Sequence, residues 1–224
     1  VDIPDVHWPT CLVEAQEIQK KLQTRVQIYP LNKFVRYVAA LDAAFTQNQV
    51  IAVAVLYAYP ELKFLEHSHA REPVSFPYVP GYLTFREGPG LLKAIGQLKT
   101  KPDLILFDGQ GIAHPRGMGI ASHLGILLDV PSIGVAKTRL VGKYEEPGQQ
   151  KGDCTDLYYA GKVVGVVLRT KPEVKPLFVS PGHRIDIADS VKVVLGCTQK
   201  YRLPEPIRKA DYLTKVLKKS DSAE

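Results

Sequence analysis

The sequence predicts an α/β protein with one mixed central sheet, three antiparallel strands followed by parallel strands, and helices on both faces. Two patterns carry that prediction. Three runs rich in Val, Ala, Tyr and Leu, over residues 35–45, 50–59 and 62–69, are separated only by turns at Thr46-Gln47-Asn48 and Pro60-Glu61. Connections that short join antiparallel neighbours. After residue 82, segments of helical period alternate with short, wholly apolar runs, the pattern of parallel strands buried on both faces.

Taken in order, an amphipathic helix is expected first, over residues 10–26, where Leu12, Val13, Ile18 and Leu22 form an apolar stripe. After the three strands, Phe76-Pro77-Tyr78-Val79-Pro80-Gly81 is too broken by proline for regular structure and reads as a loop. The helical period resumes over residues 83–99 through Leu91, Leu92, Ile95 and Leu98. Leu104-Ile105-Leu106-Phe107 is a buried strand ending at Asp108-Gly109, residues 119–128 are helical, and Ser132-Ile133-Gly134-Val135-Ala136 is another buried strand. Residues 157–160 and 163–169 flank Gly161-Lys162 as a hairpin, and helices near 187–195 and 205–219 finish the chain. No linker, repeat or low-complexity stretch interrupts it, so one domain, 1–224, is expected.

Composition narrows the class. Hydrophobic residues at 45% and charged residues at 23% are ordinary globular usage, and 224 residues can bury a core without disulfide or metal staples. No apolar run is long enough to span a membrane. The start, Val1-Asp2-Ile3-Pro4-Asp5, has neither the basic nor the apolar region of a secretory signal, so a cytoplasmic protein is expected. Cys11, Cys154 and Cys197 are odd in number, far apart and outside any Cys-x-x-Cys pattern, which argues for reduced structural cysteines. Lys and Arg outnumber Asp and Glu by 29 to 23, and the net +6 favours an anionic partner, of which nucleic acid is the commonest. Part of that excess, Lys215, Lys218 and Lys219, equally suits a solvated helix face. No obligate protein partner is evident.

Three acids sit where a core-building sequence would not choose them. Asp42 interrupts the apolar run from Val38 to Phe45, Asp108 ends the run from Leu104, and Glu87 follows Phe85-Arg86 at the start of a helix. A carboxylate in a buried strand is costly unless its charge is compensated. Each also has a plainer reading: an ion pair for Asp42, a turn with Gly109 for Asp108, the helix dipole for Glu87. Taken together they suit a divalent cation, and oxygen-only ligands suit Mg²⁺, with Mn²⁺ able to substitute. Such a cluster supports phosphodiester hydrolysis, in which metal ions activate a water and stabilise the departing oxygen. Asp211, on the final helix, is either a further ligand or a surface aspartate.

The Leu-Asp on the first strand, the later Asp-Gly and the carboxylates on following helices resemble the ribonuclease H-like superfamily. More specifically, Phe76-Pro77-Tyr78-Val79-Pro80-Gly81 with Phe85-Arg86-Glu87 resembles the endonuclease V family. So do Asp108-Gly109-Gln110-Gly111-Ile112-Ala113-His114-Pro115-Arg116, Gly119-Ile120-Ala121-Ser122-His123, Gly134-Val135-Ala136-Lys137, Ser180-Pro181-Gly182-His183-Arg184 and Leu203-Pro204-Glu205-Pro206. The blocks run in family order over most of the chain. The resemblance implies a DNA-repair endonuclease that recognises deoxyinosine (hypoxanthine) in double- or single-stranded DNA. It implies cleavage of the second phosphodiester bond 3′ to the lesion, leaving 3′-hydroxyl and 5′-phosphate ends. Asp42, Glu87 and Asp108 would hold the metal. Asp211 stands where some relatives have histidine, which keeps a metal-binding residue type.

The loops then take physical roles. Pro77, Tyr78, Val79 and Pro80 form a stiff aromatic wedge suited to filling the gap left by an extruded base. Hypoxanthine must be told from adenine by its O6 and N1–H, and from guanine by its bare C2. Backbone groups that approach closely at Gly81, Gly109, Gly111, Gly119 and Ile120 can do this, and the resemblance places the base pocket there. His114 is expected at the base or a phosphate. Lys137 ends an apolar strand, poised for phosphate or for charge developing in the transition state, and joins the carboxylates as a catalytic candidate. Arg86, Arg116, Arg139 and Arg184 are candidate phosphate contacts, with His123 and His183 as weaker candidates for a direct role. The alternatives are an inosine-specific endoribonuclease acting on inosine-containing RNA and a catalytically silent nucleic-acid-binding module.

Overall fold

The structure, a computed structural model, describes residues 1–221; the last three positions of the expected 1–224 unit lie outside the described residues. The elements in chain order are α1 (Leu12–Gln23), β1 (Tyr37–Phe45), β2 (Gln49–Ala58), β3 (Lys63–Pro73), α2 (Leu83–Gly96), β4 (Leu104–Phe107), α3 (Ile120–Leu128), β5 (Ser132–Ala136), β6 (Cys154–Tyr159), β7 (Lys162–Leu168), β8 (Leu177–His183), α4 (Ile187–Gly196) and α5 (Glu205–Asp221). The eight strands make one sheet in the order β3-β2-β1-β4-β5-β8-β7-β6. β1, β2 and β3 pair antiparallel, while β1–β4 and β4–β5 pair parallel, as the sequence predicts.

Beyond β5 the sheet turns antiparallel again through β8, β7 and β6. β8 has no counterpart in the sequence reading, because Pro181 and Gly182 disguise it. Its seven residues are nevertheless all buried. Pro181 is tolerated because it faces Ile133 at a register shift between β5 and β8, where a missing N–H breaks no regular ladder.

Alternation along the central strands builds two cores. Val38, Ala40, Val53, Val55, Leu104, Leu106, Ile133 and Val135 pack with Val193 and Val194 of α4 and Ile207 and Ala210 of α5. Ala39, Leu41, Ala52, Ala54, Ile105 and Phe107 point the other way, onto Leu91, Leu92 and Ile95 of α2 and Ala121 and Leu124 of α3. Burial on both faces explains why these strands read as continuous apolar runs. It also fixes where Asp42 goes: on the face of β1 shared with Val38 and Ala40, beneath α5. Among the described residues, no helix is long and apolar enough to cross a membrane.

His123 of α3 is buried between Trp8, with ring centroids 6.2 Å apart, and Phe85, at 5.1 Å. Its packing is that of a core residue rather than a ligand to phosphate. Burial, with a smaller contribution from His114, pushes its pKa down to about 3. The folded state therefore holds His123 neutral, while the unfolded chain takes up a proton below about 6.5. The stability this gives is complete above pH 6.5 and is lost as pH falls towards 3, by roughly 1.4 kcal/mol per pH unit. Denaturant titrations between pH 7 and 4.5 should show His123→Phe losing less stability per pH unit than the parent, by about one proton's worth. Equal slopes would contradict this assignment.

Candidate active site

The parallel register sets Leu41 beside Phe107, so Asp42 and Asp108, each the next residue, lie side by side where the pairing of β1 with β4 ends, Asp108 just past β4 and Asp42 three residues before the end of β1. Phe107 is likewise level with Gly134 of β5, and Lys137 follows three residues on at the same edge. Carboxyl ends of parallel strands are the usual position for a site in an open α/β sheet. α2 brings Glu87 to this edge from the opposite face. Glu87 is its fifth residue and the first turn contains no acid, so the helix-dipole reading does not apply. α5 packs across β1 and brings Asp211 and Thr214, and the Thr214 hydroxyl donates to Asp42 Oδ2 at 3.0 Å.

The group is short of positive charge. Asp42 is raised to about 6, by burial first and then by Asp108, with Asp211 adding and Thr214 and Lys137 opposing. Glu87 is raised to about 8 by burial and by the fields of Asp42 and Asp108, which Arg86 only partly offsets. The compensating cation in place is Lys137, whose Nζ lies 2.5 Å from Asp108 Oδ2. Burial lowers the Lys137 pKa, but the bond to Asp108 and the fields of Asp108, Asp211 and Asp42 outweigh it and leave it raised. Asp211 sits at the rim, paired with Lys215 at 2.6 Å. Among the described residues, no three His, Cys, Asp or Glu side chains stand close enough to close around a metal ion as they lie. The donor chemistry still fits a hard divalent cation. The donors are all oxygen, they repel one another, and an ammonium occupies one of them as a monovalent stand-in.

Beside the acids opens a cavity of about 420 Å³, within the range of small-molecule pockets. Its walls come from Gly81, Asp108, Gly109, Gly119, Ile120 and Lys137, with Tyr78, Val79 and Pro80 at its mouth. The loop carrying Tyr78 is held at both ends. Phe76 is buried against Phe85, and the Gly81 carbonyl accepts from Gln19 Nε2 at 3.0 Å, His114 Nε2 at 3.0 Å and Arg116 Nη2 at 2.8 Å. Gly81 itself has φ +82°, which glycine adopts without strain. Between these anchors Tyr78 is 70% exposed, whereas a tyrosine sealing the core would be covered. Tyr78→Ala should therefore leave the melting temperature unchanged. It should weaken binding to a duplex about 10- to 100-fold, the worth of one to two stacked bases, and affect single strands less. Equal effects on both strand forms, read by fluorescence anisotropy, would remove the wedge role.

Several sequence-predicted contacts are engaged elsewhere. Arg86 donates to the Phe76 carbonyl at 3.0 Å and lies over the Phe45 ring at 4.5 Å, so it holds the start of the Tyr78 loop. Arg116 is held by Gly81, by Gln19 at 2.5 Å and by the Tyr82 ring at 4.2 Å. His114 lines the cavity, but Nδ1 accepts from Arg116 N at 3.2 Å, leaving Nε2–H for Gly81. Burial, then Arg116, hold it near a pKa of about 4, so it serves as a neutral brace rather than an acid or base. Gly111 lies beneath the cavity rather than in its wall. A Cβ there would meet the Pro181 carbonyl oxygen at 2.0 Å. His183 ends β8 and Arg184 follows it, near Asp129 at the opposite edge of the sheet, with Arg184 paired to Asp129 at 2.8 Å. Arg139 remains at the cavity, over Tyr144 at 5.7 Å.

Other site residues escaped the sequence reading. Thr84, Gln110, Met118, Thr138 and Leu140 also line the cavity, and Thr214 orients Asp42. Thr214 had one available signal, its i+3 spacing from Asp211 on a helix.

Comparisons with known proteins identify the family. The family model described as Endonuclease V matches residues 20–212. The endonuclease V of Nostoc punctiforme is 53% identical over 213 residues, covering 93% of this chain and 96% of that protein. The crystal structure of Streptomyces avermitilis endonuclease V superposes with a TM-score of 0.92 at 41% identity, covering 98% of each chain. Ciona intestinalis endonuclease V, in complex with a 24mer DNA containing an inosine followed by a ribo-adenosine, matches with a TM-score of 0.81 at 32% identity, covering 93% of this chain and 98% of that one. The sheet has the expected ribonuclease H-like arrangement, and this chain belongs to the endonuclease V family of nucleic-acid-cleaving enzymes.

Proposed function

We propose that this chain is a Mg²⁺-dependent endonuclease, with Mn²⁺ able to substitute, that acts in DNA repair on deoxyinosine. It hydrolyses the second phosphodiester bond 3′ to the lesion, leaving 3′-hydroxyl and 5′-phosphate ends. The observation that carries this is the sharing of Asp108 between a base-sized cavity and the electron-rich carboxylate group. A base held in the cavity thus fixes which phosphate reaches the acids. The Ciona relative's inosine-containing DNA supports the same ligand.

In this reading Tyr78 fills the gap left by the extruded hypoxanthine, and backbone at Gly81, Gly109 and Gly119 reads its edge. Asp42, Glu87 and Asp108 would hold the cation, with Asp211 at the rim. When bound, Mg²⁺ neutralises charge on the phosphate and makes water a better nucleophile. Lys137, at the edge of the cavity beside Asp108, would donate to a phosphate oxygen, and Arg139 would position the backbone. The reading treats 1–224 as one nuclease unit in the cytoplasm, where exposed Cys11 and Cys154 stay reduced, with no obligate protein partner. A second reading, an inosine-directed endoribonuclease, is favoured by one observation: the ribonucleotide that follows inosine in the Ciona complex.

The test uses end-labelled duplexes carrying one deoxyinosine, all-DNA or with one ribonucleotide after the lesion, with Mg²⁺ or EDTA, and maps the cut. A Mg²⁺-dependent nick at the second 3′ phosphodiester in the all-DNA strand is expected. Cutting only beside the ribonucleotide would select the second reading, and binding without any cut would select a silent module.

A further inference from the structure

The inner face of α1 is made of Ala15, Ile18, Gln19 and Leu22, which recur at helical spacing. The three apolar members pack on two different segments. Ala15 meets Phe76 and Phe85 at the root of the Tyr78 loop, Leu22 meets Met118 and Ile126, and Ile18 touches both groups. Gln19, between them, is completely buried. An amide there is costly unless its polar atoms are all engaged, and they are. Nε2 donates to the Gly81 carbonyl at 3.0 Å and to the Met118 carbonyl at 3.4 Å, while Oε1 accepts from Arg116 Nε at 2.5 Å. The two carbonyls can only accept, which fixes the orientation of the amide.

Gly81 and Met118 both line the 420 Å³ cavity, one from the Tyr78 loop and the other from the segment leading into α3. Among the described residues, none from α1 lines that cavity. We propose that Gln19 is a positioning residue for base selection: it ties both cavity walls and Arg116 to α1, and so holds the cavity too narrow for the 2-amino group of guanine. The inference deepens the proposed function and rests on the base being read in this cavity. Guanine differs from hypoxanthine only by that added group, so its rejection depends on walls that do not give. Walls pinned by buried hydrogen bonds from a third element meet that need, and Gln19 meets it without touching base, phosphate or the acids.

The test is competition, in one Mg²⁺-containing reaction, between two differently labelled thymine strands, one carrying a single inosine and the other a single guanine. The ratio of nicking rates does not depend on the fraction of protein folded, and single strands remove the cost of opening a pair with cytosine. Gln19→Met keeps the length of the side chain and removes all three bonds. Gln19→Glu keeps an oxygen for Arg116 and removes the amide donors, and it carries the test if Gln19→Met does not fold. Each is expected to lower the preference for inosine about tenfold. Val194→Ala, a deletion in the core on the other face of the sheet, should lower the melting temperature and leave the preference at the parent's value. A parent that prefers inosine, with the preference retained in either folded Gln19 variant or lost equally in Val194→Ala, would overturn the positioning role. A parent without inosine preference would overturn the lesion reading itself, and the role in selection with it.

Discussion

Asp108→Asn is expected to slow nicking of an inosine-containing duplex by about a thousandfold, or about 4 kcal/mol of transition-state stabilisation, while binding is unchanged or tighter. The substitution keeps the shape of the side chain and removes its charge. Asp108 is the shared element: its Oδ2 takes Lys137 at 2.5 Å, its field raises Asp42 and Glu87, and it forms part of the wall of the 420 Å³ cavity. If Asp108 holds the cation as proposed, removing its charge would weaken that hold and would also remove the repulsion between that carboxylate and the phosphates. The two effects oppose one another in binding but not in cutting. Single-turnover cleavage and anisotropy on the same duplex separate them, and a variant that cuts normally but no longer binds would refute the assignment of Asp108 as a metal ligand.

The two glycines after Asp108 should fail in different ways. At Gly111 a methyl would lie 2.0 Å from the Pro181 carbonyl oxygen and 2.7 Å from that of Ser180, both fixed backbone atoms of β8. Gly111→Ala is therefore expected to destabilise the fold by about 3 kcal/mol or more, seen as a large fall in melting temperature. At Gly109 the contact within reach is Ile120 Cγ2, at 2.7 Å, the end of a side chain. Gly109→Ala should fold, losing about 1 kcal/mol, but push Ile120 or its own methyl into the cavity and reduce the preference for inosine over adenine about 100-fold. A stable Gly111→Ala, or a Gly109→Ala with undiminished preference, would mean that the cavity walls lie elsewhere.

This contrast shows what the sequence can reveal. Asp42 stood out because a charge within an apolar run violates the local pattern, Asp108 because it ends one, and Glu87 chiefly through the family motif around it. The strands from β1 to β5 were legible because burial on both faces leaves uninterrupted apolar runs. β8 was not, since its proline sits at a register shift that only pairing with β5 creates. Arg86 and Arg116 looked like phosphate contacts because residue type does not disclose the partner. The Phe76 and Gly81 carbonyls they hold are far from them in sequence or hidden in the loop. The glycines of the Asp108 loop were found as a set, but only the positions of Pro181 and Ile120 separate a packing glycine from a pocket wall.

The central claim is that the acids at the sheet edge, crowded enough to raise Asp42 to about 6 and Glu87 to about 8, exist to hold a divalent cation. Calorimetric titration of Mn²⁺ into the nucleic-acid-free protein tests this most directly, comparing the parent with Glu87→Gln and Asp108→Asn. Saturable binding that weakens by about tenfold or more in each variant, with the fold intact by circular dichroism, is the predicted result. Binding of equal strength in all three proteins would place the cation elsewhere and contradict the account.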